Sequence, residues 1–359
     1  MSGDLPATMA AVLLVGHGGF DRLQYRVDVP VPRPGPGEVL IRVAAAAVNN
    51  TDINTRVGWY SQQVAAATAE ASRDPAAATD GSWTGSAMSF PRIQGADVCG
   101  RIVAVGTGVD RSRIGRRVIV QSCLRSRRGP SGVPWLGSEC DGGFAQYVTA
   151  PAPDTWDIAS DLDDAALASL PCAYSTAENL LGRAAVAAGE RVLVTGASGG
   201  VGSAAVQLAR RRGARVVAVA GAGKEAELAA LGAETVVARG TSLLDALGRD
   251  SVDVVIDLVG GPQWPVLPDL LKPGGRYAVS GAIAGPLVEL DLRKLYLKDL
   301  TLFGCTTQDD AVFVDLVAYV ERGEIRPLVA RTYPLAAIVE AQQDFLAKKH
   351  VGKLVLLPP

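Results

Sequence analysis

The fold is decided by the stretch Thr195-Gly-Ala-Ser-Gly-Gly-Val-Gly202. The apolar run Arg191 to Thr195 predicts a buried strand before it, and Gly202 to Arg212 has the apolar spacing of a helix. A glycine-rich turn between a strand and a helix gathers free backbone N–H groups at the positive end of the helix dipole, where phosphates bind. We therefore predict a dinucleotide-binding turn, with a purely structural turn as the alternative. Its residues are Ala197, Ser198, Gly199, Gly200, Val201 and Gly202.

The alternation of strands and helices continues beyond this turn. Arg215 to Ala220 predicts a second strand and Glu225 to Leu231 a second helix. Further strands are expected at Thr235 to Ala238, Val252 to Asp257 and Gly275 to Val279. Repeated strand–helix units of this length favour an α/β fold with a doubly wound parallel sheet. The alternation spans residues 158–308.

The end of the second strand bears on the choice of dinucleotide. An NAD site usually has Asp or Glu there, bound to the ribose 2′-OH. This sequence has Ala220-Gly-Ala-Gly-Lys224 and no carboxylate. Lys224 could pair with a 2′-phosphate, although a solvated lysine is the alternative. The pattern predicts NADPH as the cofactor.

The flanking regions have a different texture. Residues 1–157 are rich in short strands, and the turn-dense run Pro30 to Gly37 cannot be helical. Residues 61–90 are predicted to form an inserted surface loop, with one short helix near Gln62 to Ala71. Residues 309–359 predict two helices and a last strand, at Phe313 to Glu321, Ala336 to Lys348 and Lys353 to Leu357.

Composition excludes several classes of protein. Of 359 residues, 48% are hydrophobic and 20% charged, which supports a full globular core, and the net charge of -2 gives no basic field for nucleic acid or an anionic membrane. Five scattered cysteines without a CxxC pair favour a reducing cytoplasm. Neither a signal peptide nor a membrane span is expected, since no basic residue precedes the first apolar run and no apolar run approaches about 20 residues.

Five further stretches along the chain carry recognisable motifs. They are Ala47-Val-Asn-Asn-Thr-Asp52, Gly95-Ala-Asp-Val-Cys-Gly-Arg-Ile-Val-Ala-Val-Gly106, Gly142-Gly-Phe-Ala-Gln-Tyr147, Ser175-Thr-Ala-Glu-Asn179 and His350-Val-Gly-Lys-Leu-Val355. Together with the glycine-rich turn, these stretches resemble motifs of the medium-chain dehydrogenase/reductase superfamily. The resemblance implies a GroES-like β-barrel catalytic domain (1–157), a Rossmann NADP-binding domain (158–308) and a C-terminal segment (309–359) that completes the catalytic domain.

The sequence departs from zinc-dependent members of that superfamily. At the three positions that match their zinc ligands it has Asn49, Ala96 and Cys172, and one sure ligand cannot hold the metal. The four-cysteine lobe is replaced by a basic loop, Leu124 to Pro130, which is either a surface turn or a contact to an anionic substrate. The resemblance is therefore to the zinc-independent, quinone oxidoreductase-like (zeta-crystallin-like) branch, with no metal expected.

The same resemblance proposes catalytic residues. Asn49 matches an Asn that quinone oxidoreductases place near the substrate, and we expect it to donate a hydrogen bond there; satisfying the local backbone is the alternative. Asn54 stands where those enzymes have a Tyr, so Tyr60, Trp59 or a water could take over as proton donor. Arg56 would orient the substrate or the phosphates, or form a structural ion pair with Asp52. The residues expected beside the nicotinamide are Thr176, Ser280 and Gly281.

Three functions follow as expectations. The first is NADPH-dependent hydride transfer to a conjugated carbonyl, a quinone or 2-enone, because its charge delocalises without a Lewis acid. The second is reduction of an enoyl thioester, or zinc-free carbonyl or alcohol chemistry, on the same scaffold. The third is a cofactor-binding structural or regulatory protein without turnover. The apolar, β-prone run Leu300 to Gly304 predicts a homodimer or homotetramer, because it would otherwise be an exposed sheet edge.

Overall fold

A computed structural model describes residues 5–75, 80–130 and 132–359. The strands, in chain order, are β1 (Thr8–Leu14), β2 (Leu23–Pro30), β3 (Glu38–Ala47), β4 (Arg92–Ile93), β5 (Cys99–Val105), β6 (Arg117–Val120), β7 (Tyr147–Pro151), β8 (Thr155–Asp157), β9 (Arg191–Val194), β10 (Arg215–Ala220), β11 (Ala233–Ala238), β12 (Val252–Asp257), β13 (Leu271–Val279), β14 (Thr301–Gly304), β15 (Val329–Pro334) and β16 (Lys353–Leu357). The helices are α1 (Asn50–Val57), α2 (Thr68–Ala71), α3 (Asp164–Ala168), α4 (Pro171–Arg183), α5 (Gly200–Arg211), α6 (Glu225–Leu231), α7 (Leu243–Leu247), α8 (Leu267–Leu270), α9 (Leu292–Tyr296), α10 (Asp310–Glu321) and α11 (Ile338–Ala347).

A six-stranded parallel sheet forms the middle of the chain, in the order β11-β10-β9-β12-β13-β14. The order reverses direction at β9, so the predicted doubly wound sheet is confirmed. Val192, Leu193 and Val194 of β9 are fully buried, as expected for a strand covered on both faces. The carboxyl ends of β9 and β12 meet at the switch point, where such sheets bind their ligands.

The GroES-like half that the sequence predicts is built mainly on antiparallel strands, although β15 and β16 pair in parallel. One sheet runs β15-β16-β3-β5-β6-β8, with β7 also paired to β3, and a smaller sheet joins β2, β1 and β4. The last strand of the chain, β16, pairs with β3 through Val355 and Ala47. Helix α10, by contrast, packs against α4, which follows β8 and precedes β9, and its Phe313 is fully buried in a core cluster that includes residues of both halves. The C-terminal segment therefore contacts both halves.

The insertion is more buried than predicted. Its helix is limited to Thr68–Ala71, and Val64, Thr68 and Ser82 are buried, so the expectation of a surface loop is only partly right. The reason is that polar groups outside the insertion hold it: the backbone N–H of Thr68 donates to the Ile283 carbonyl at 3.1 Å, and Thr68 Oγ1 donates to Asn54 Oδ1 at 3.1 Å. Part of the loop, residues 76–79, lies outside the described residues.

Two further observations concern membrane spans and the state of the cysteines. Within the described ranges, no helix is long and apolar enough to cross a membrane. The five cysteines, all of them described, are free thiols.

Candidate active site

The glycine-rich turn has the shape that the sequence predicts. Gly196 adopts the left-handed region with φ 61°, and Gly199 immediately precedes helix α5. A Cβ on Gly202 would lie 2.2 Å from the Gly196 carbonyl oxygen, so only glycine permits this packing of helix on strand. Helix α5 begins at Gly200, two residues before the predicted start. The first N–H groups of a helix have no partner within the helix, so this turn supplies the free donors that a phosphate site requires.

The residues expected beside the nicotinamide lie at the same end of the sheet. The Leu258 N–H, just after β12, donates to Thr195 Oγ1 at 3.0 Å, and Gly281 packs against the backbone of Leu258. Ser280 follows β13 directly, and its N–H donates to the Asp257 carbonyl at 3.4 Å. Thr176 lies half-buried on α4, the helix that packs against α5.

The C-terminal segment lies across this turn. The Gly352 N–H donates to the Ser198 carbonyl at 3.0 Å. Lys224 Nζ donates to Ser198 Oγ at 3.1 Å and to the carbonyls of Lys348 and His350 at 2.7 and 2.9 Å. All three ammonium hydrogens of Lys224 are thereby engaged, and the side chain is buried. Lys224 therefore lies at the predicted site and also joins the turn to the C-terminal segment.

Cations accumulate around the outer end of the turn. Burial, and next the charge of Arg239, lower the pKa of Lys224. Burial and the neighbouring Lys224 and Lys353 lower the pKa of Lys348 to about 7, and burial and Lys348 lower that of His350 to about 4. The exposed Arg239 was not foreseen from the sequence; it follows β11, and its guanidinium lies 3.9 Å from where a Cβ on Gly221 would stand. The residue that follows β11 thus places a cation beside the end of β10.

Asn49, expected to donate to the substrate, is instead part of an internal network. Its side-chain N–H₂ donates to Asp97 Oδ2 at 2.8 Å and to the Ala47 carbonyl at 3.2 Å. Its side-chain oxygen accepts a hydrogen bond from Lys353 Nζ. Both amide hydrogens are used within the protein, so in this arrangement Asn49 has none to offer a substrate. This geometry favours a role in holding Lys353 and Asp97 in place.

Lys353 is the site residue that sequence reasoning missed. Its ammonium lies 2.9 Å from Asp97 Oδ2, and the two side chains are 3% and 0% exposed. Asp97 Oδ1 also accepts the Cys172 N–H at 2.6 Å. The aliphatic part of Lys353 crosses the glycine-rich turn, since a Cβ on Gly200 would lie 2.6 Å from Lys353 Cδ. The available signal was a lone lysine at the start of an otherwise apolar last strand.

Asp52 adds a second buried carboxyl to this network. It accepts the Asn49 N–H at 2.7 Å and the Gly95 N–H at 3.2 Å, which closes the start of helix α1. Burial, and to a lesser extent the charge of Asp97, raise its pKa to about 7, against the effect of its hydrogen bonds and of Lys353. Asp52 is therefore a carboxyl whose charge is sensitive to pH near neutrality.

The other two positions that match zinc ligands in relatives, Ala96 and Cys172, belong to an apolar cluster in the pocket wall. Ala96 and Cys172 pack with Cys123, Val133 and Trp135, and burial raises the pKa of Cys172 well above its ordinary value. Among the described residues, no group of three or more His, Cys, Asp or Glu is placed to hold a metal ion.

Aromatic rings extend this wall towards Tyr60. Trp83, from the insertion, stacks on Trp135 with ring centroids 4.5 Å apart, and Tyr60 meets Trp83 edge to face at 5.0 Å. Burial raises the pKa of Tyr60, while the neighbouring side chains of Thr51 and Asn54 lower it. The Tyr60 hydroxyl therefore keeps its proton at neutral pH.

Asn54 lines the same pocket, and its side-chain oxygen accepts two hydrogen bonds. Its Oδ1 accepts from Thr68 Oγ1 at 3.1 Å and from Asn50 Nδ2 at 3.2 Å. Asn54 thus connects helix α1 to the insertion, beside Tyr60. The structure brings Asn54 and Tyr60 together as predicted, whereas Asn49 lies one layer behind them, against Asp97.

Arg56 and the basic loop both make their contacts within the protein. Arg56 is fully buried and donates to the Gly18 carbonyl at 2.7 Å and to Gln342 Oε1 at 2.9 Å, so the suggested ion pair with Asp52 does not form. Two of the three arginines of the basic loop form ion pairs within the protein: Arg125 lies 3.0 Å from Asp310, and Arg127 pairs with Glu38. These contacts favour the surface-turn interpretation of that loop.

Comparison with known proteins gives matches along the whole chain. The family models for the alcohol dehydrogenase GroES-like domain and for zinc-binding dehydrogenases match residues 35–160 and 200–322, and the first confirms the GroES-like half. A quinone oxidoreductase from Rattus norvegicus is 30% identical over 97% of this chain and 98% of its own length. An acryloyl-coenzyme A reductase from Metallosphaera sedula is 31% identical over 97% and 99%. A candidate alcohol dehydrogenase from Sinorhizobium meliloti 1021, known from its crystal structure, is 49% identical with a TM-score of 0.89, covering 99% of this chain and 98% of its own.

Proposed function

The chain belongs to the medium-chain dehydrogenase/reductase superfamily, in its quinone oxidoreductase-like branch, and from that premise we propose that it transfers a hydride from NADPH to a conjugated carbonyl, a quinone or 2-enone, without zinc. The observation that carries the proposal is the donor set at the reacting centre. Asn49 is bound to an ammonium, Ala96 offers no ligand atom, and Cys172 is a thiol with a raised pKa. A fixed cation beside one thiol does not fit zinc, which needs three protein ligands.

A conjugated acceptor suits such a site. Hydride addition to its β-carbon, or to a quinone, gives an anion whose negative charge is delocalised between the oxygen and the conjugated carbons. Hydrogen-bond donors therefore suffice to stabilise that charge. Tyr60 supplies a protonated hydroxyl beside the aromatic wall. NADPH, when bound, supplies the hydride, and one proton from solvent completes the reduction. Tyr60 and the rings around it hold the acceptor and exclude water.

The cofactor would be held by the glycine-rich turn and the cations around it. The N–H groups at the start of α5 would bind the pyrophosphate, and the stem of Lys353 lies against Gly200 in the same turn. Arg239 and Lys224 supply positive charge beside Gly221, where an NAD enzyme usually has a carboxylate. Mutual repulsion among these cations is relieved by an anionic ligand, which supports a preference for a 2′-phosphate.

The proposal also includes self-association. Strand β14 is at the end of the six-stranded sheet. Exposed apolar side chains lie on this strand, at Leu302, and in the segment that precedes it in the chain, at Leu287, Val288, Leu292, Tyr296 and Leu297. Pairing of β14 across a two-fold axis would cover this edge, and the chain is proposed to be at least a homodimer.

Steady-state turnover with matched acceptors tests the proposal. Oxidation of NADPH and of NADH is followed with a quinone, 2-cyclohexenone and a saturated ketone of the same size. We expect turnover of the first two acceptors with NADPH, and none of the saturated ketone. Equal rates with the saturated ketone, or a preference for NADH, would count against the proposal.

An enoyl thioester is the second candidate substrate. The similarity to acryloyl-coenzyme A reductase along nearly the whole chain favours it. The chemistry at the β-carbon is the same, but the thioester brings a long polar carrier that must leave the cleft. Comparing kcat/KM for crotonyl-coenzyme A and for 2-cyclohexenone separates the two candidates.

A further inference from the structure

One indole group in the pocket has a hydrogen-bond donor without a partner. Trp135 is 2% exposed, and its Nε1 meets no acceptor among the described residues. A buried indole N–H usually finds a partner, because leaving it unpaired costs roughly 1–3 kcal/mol. Two other tryptophans show the ordinary case: Trp59 donates to the Ala66 carbonyl at 2.9 Å, and Trp264 to the Tyr277 hydroxyl at 2.8 Å.

The unpaired donor lies at the reacting centre. Trp135 packs in one cluster with Ala96 and Cys172, two of the three positions that match zinc ligands in zinc-dependent relatives. Its ring stacks on Trp83, which in turn contacts Tyr60. The donor is therefore in the same wall as the Tyr60 hydroxyl.

Polar contacts fix the position of this tryptophan pair. Glu139 accepts the Trp135 N–H of the backbone at 2.9 Å through Oε2, and the Thr84 N–H at 2.9 Å through Oε1. Ser138 Oγ accepts the backbone N–H of Trp83 at 2.9 Å. One short segment, 135–139, thereby aligns its own tryptophan with that of the insertion. Such a brace holds the indole donor in one orientation before a ligand arrives, which is what a preorganised donor needs.

We propose that the Trp135 indole N–H donates a hydrogen bond to the substrate oxygen, and that Trp83, stacked on the face of Trp135, holds the indole in place for it. This inference rests on the proposed function and extends it. The indole transfers no proton; it stabilises the negative charge that hydride addition puts on that oxygen. Two donors from different segments would then replace the metal as the group that polarises the carbonyl.

Substitution of the donor separates its hydrogen bond from its packing. Trp135→Phe removes the N–H but keeps an aromatic ring, and kcat/KM for 2-cyclohexenone should fall about 10- to 100-fold. Trp83→Phe reduces the same stack but leaves the Trp135 donor, so its loss should be smaller. Trp156→Phe is the matched control: its Nε1 is also buried without a partner, but it packs on Phe313, outside this cluster, and its activity should stay unchanged.

A measurement independent of turnover completes the test. In protein labelled with ¹⁵N-tryptophan and bound to NADP⁺, saturating 2-cyclohexenone should move the Trp135 indole proton downfield, while those of Trp59 and Trp264 stay in place. A shifted Trp135 signal without turnover in the unmodified protein refutes the proposed function and supports this inference. A Trp135 signal that does not move, or equal kcat/KM for Trp135→Phe and Trp83→Phe, overturns the inference and leaves the proposed function standing.

Discussion

Replacing Lys353 with Met tests the buried network that lies behind the reacting centre. The methionine keeps an apolar stem across Gly200 and removes the ammonium that lies 2.9 Å from Asp97 Oδ2. Asp97 then keeps two of its hydrogen bonds, from Asn49 Nδ2 and from the Cys172 N–H. Its negative charge would remain buried without a countercharge.

The magnitude follows from the distance and the burial. At 2.9 Å and an effective dielectric constant of about 20, the Coulomb attraction is roughly 6 kcal/mol, much of which offsets the desolvation of the two ions. Removing one partner of a buried pair usually costs about 3–5 kcal/mol. Because two hydrogen bonds to Asp97 persist, we expect a loss of about 3 kcal/mol in the free energy of unfolding at neutral pH.

Urea unfolding of four proteins measures this coupling. The set is the parent, Lys353→Met, Asp97→Asn and the double variant, which should recover about 2 kcal/mol relative to the sum of the single changes. Lys272→Met is the control, since its ion pair with Asp253 at 2.8 Å is partly exposed and should contribute less than about 1 kcal/mol. A Lys353→Met protein as stable as the parent, or strictly additive losses, would refute the assignment of a charge pair.

Three further predictions concern the pocket, the cofactor and the assembly. Tyr60→Phe should lower kcat/KM for an enone about 10- to 100-fold while leaving the Kd for NADPH unchanged, since the hydroxyl is a donor to substrate; steady-state kinetics and fluorescence titration measure the two. Lys348, with its pKa lowered to about 7 by burial and by Lys224 and Lys353, should gain a proton when the anionic cofactor binds. Affinity for NADPH should be highest below pH about 7 and fall up to tenfold per unit as the pH rises above it, and calorimetry with Lys348→Gln should show no such proton uptake. Leu302→Lys should convert a dimer to a monomer in light scattering, and a parent protein with the mass of one chain would contradict the β14 interface.

The doubly wound sheet was predictable because its signals are local. The glycine turn, the apolar strands β9 and β10 and the helix spacing each lie within a few residues, and the bounds of β10, β12 and β16 agree with the predicted ones. Helix α5 starts earlier than predicted because Gly199, rather than Val201, ends the turn. The insertion was harder, since its burial depends on partners such as Ile283, more than 200 residues away in the chain.

The network around Asn49 could not be predicted from its neighbours in sequence. Lys353 lies 304 residues from Asn49, and only the pairing of β16 with β3 brings them together. Matching Asn49 to a family position suggested where the reacting centre lies, but the direction of its amide depends on Lys353 and Asp97. The Trp83–Trp135 stack was missed for the same reason, because the two rings come from separate loops with no periodic pattern.

The central claim is that the protein reduces a conjugated carbonyl with NADPH and needs no zinc. It is tested most directly with protein treated with a chelator, shown by elemental analysis to be free of metal, and assayed for NADPH oxidation with 2-cyclohexenone and a quinone. We expect full turnover in the metal-free protein and no increase in activity when zinc is added. Turnover that appears only with added zinc, or only with simple alcohols and aldehydes, would contradict it.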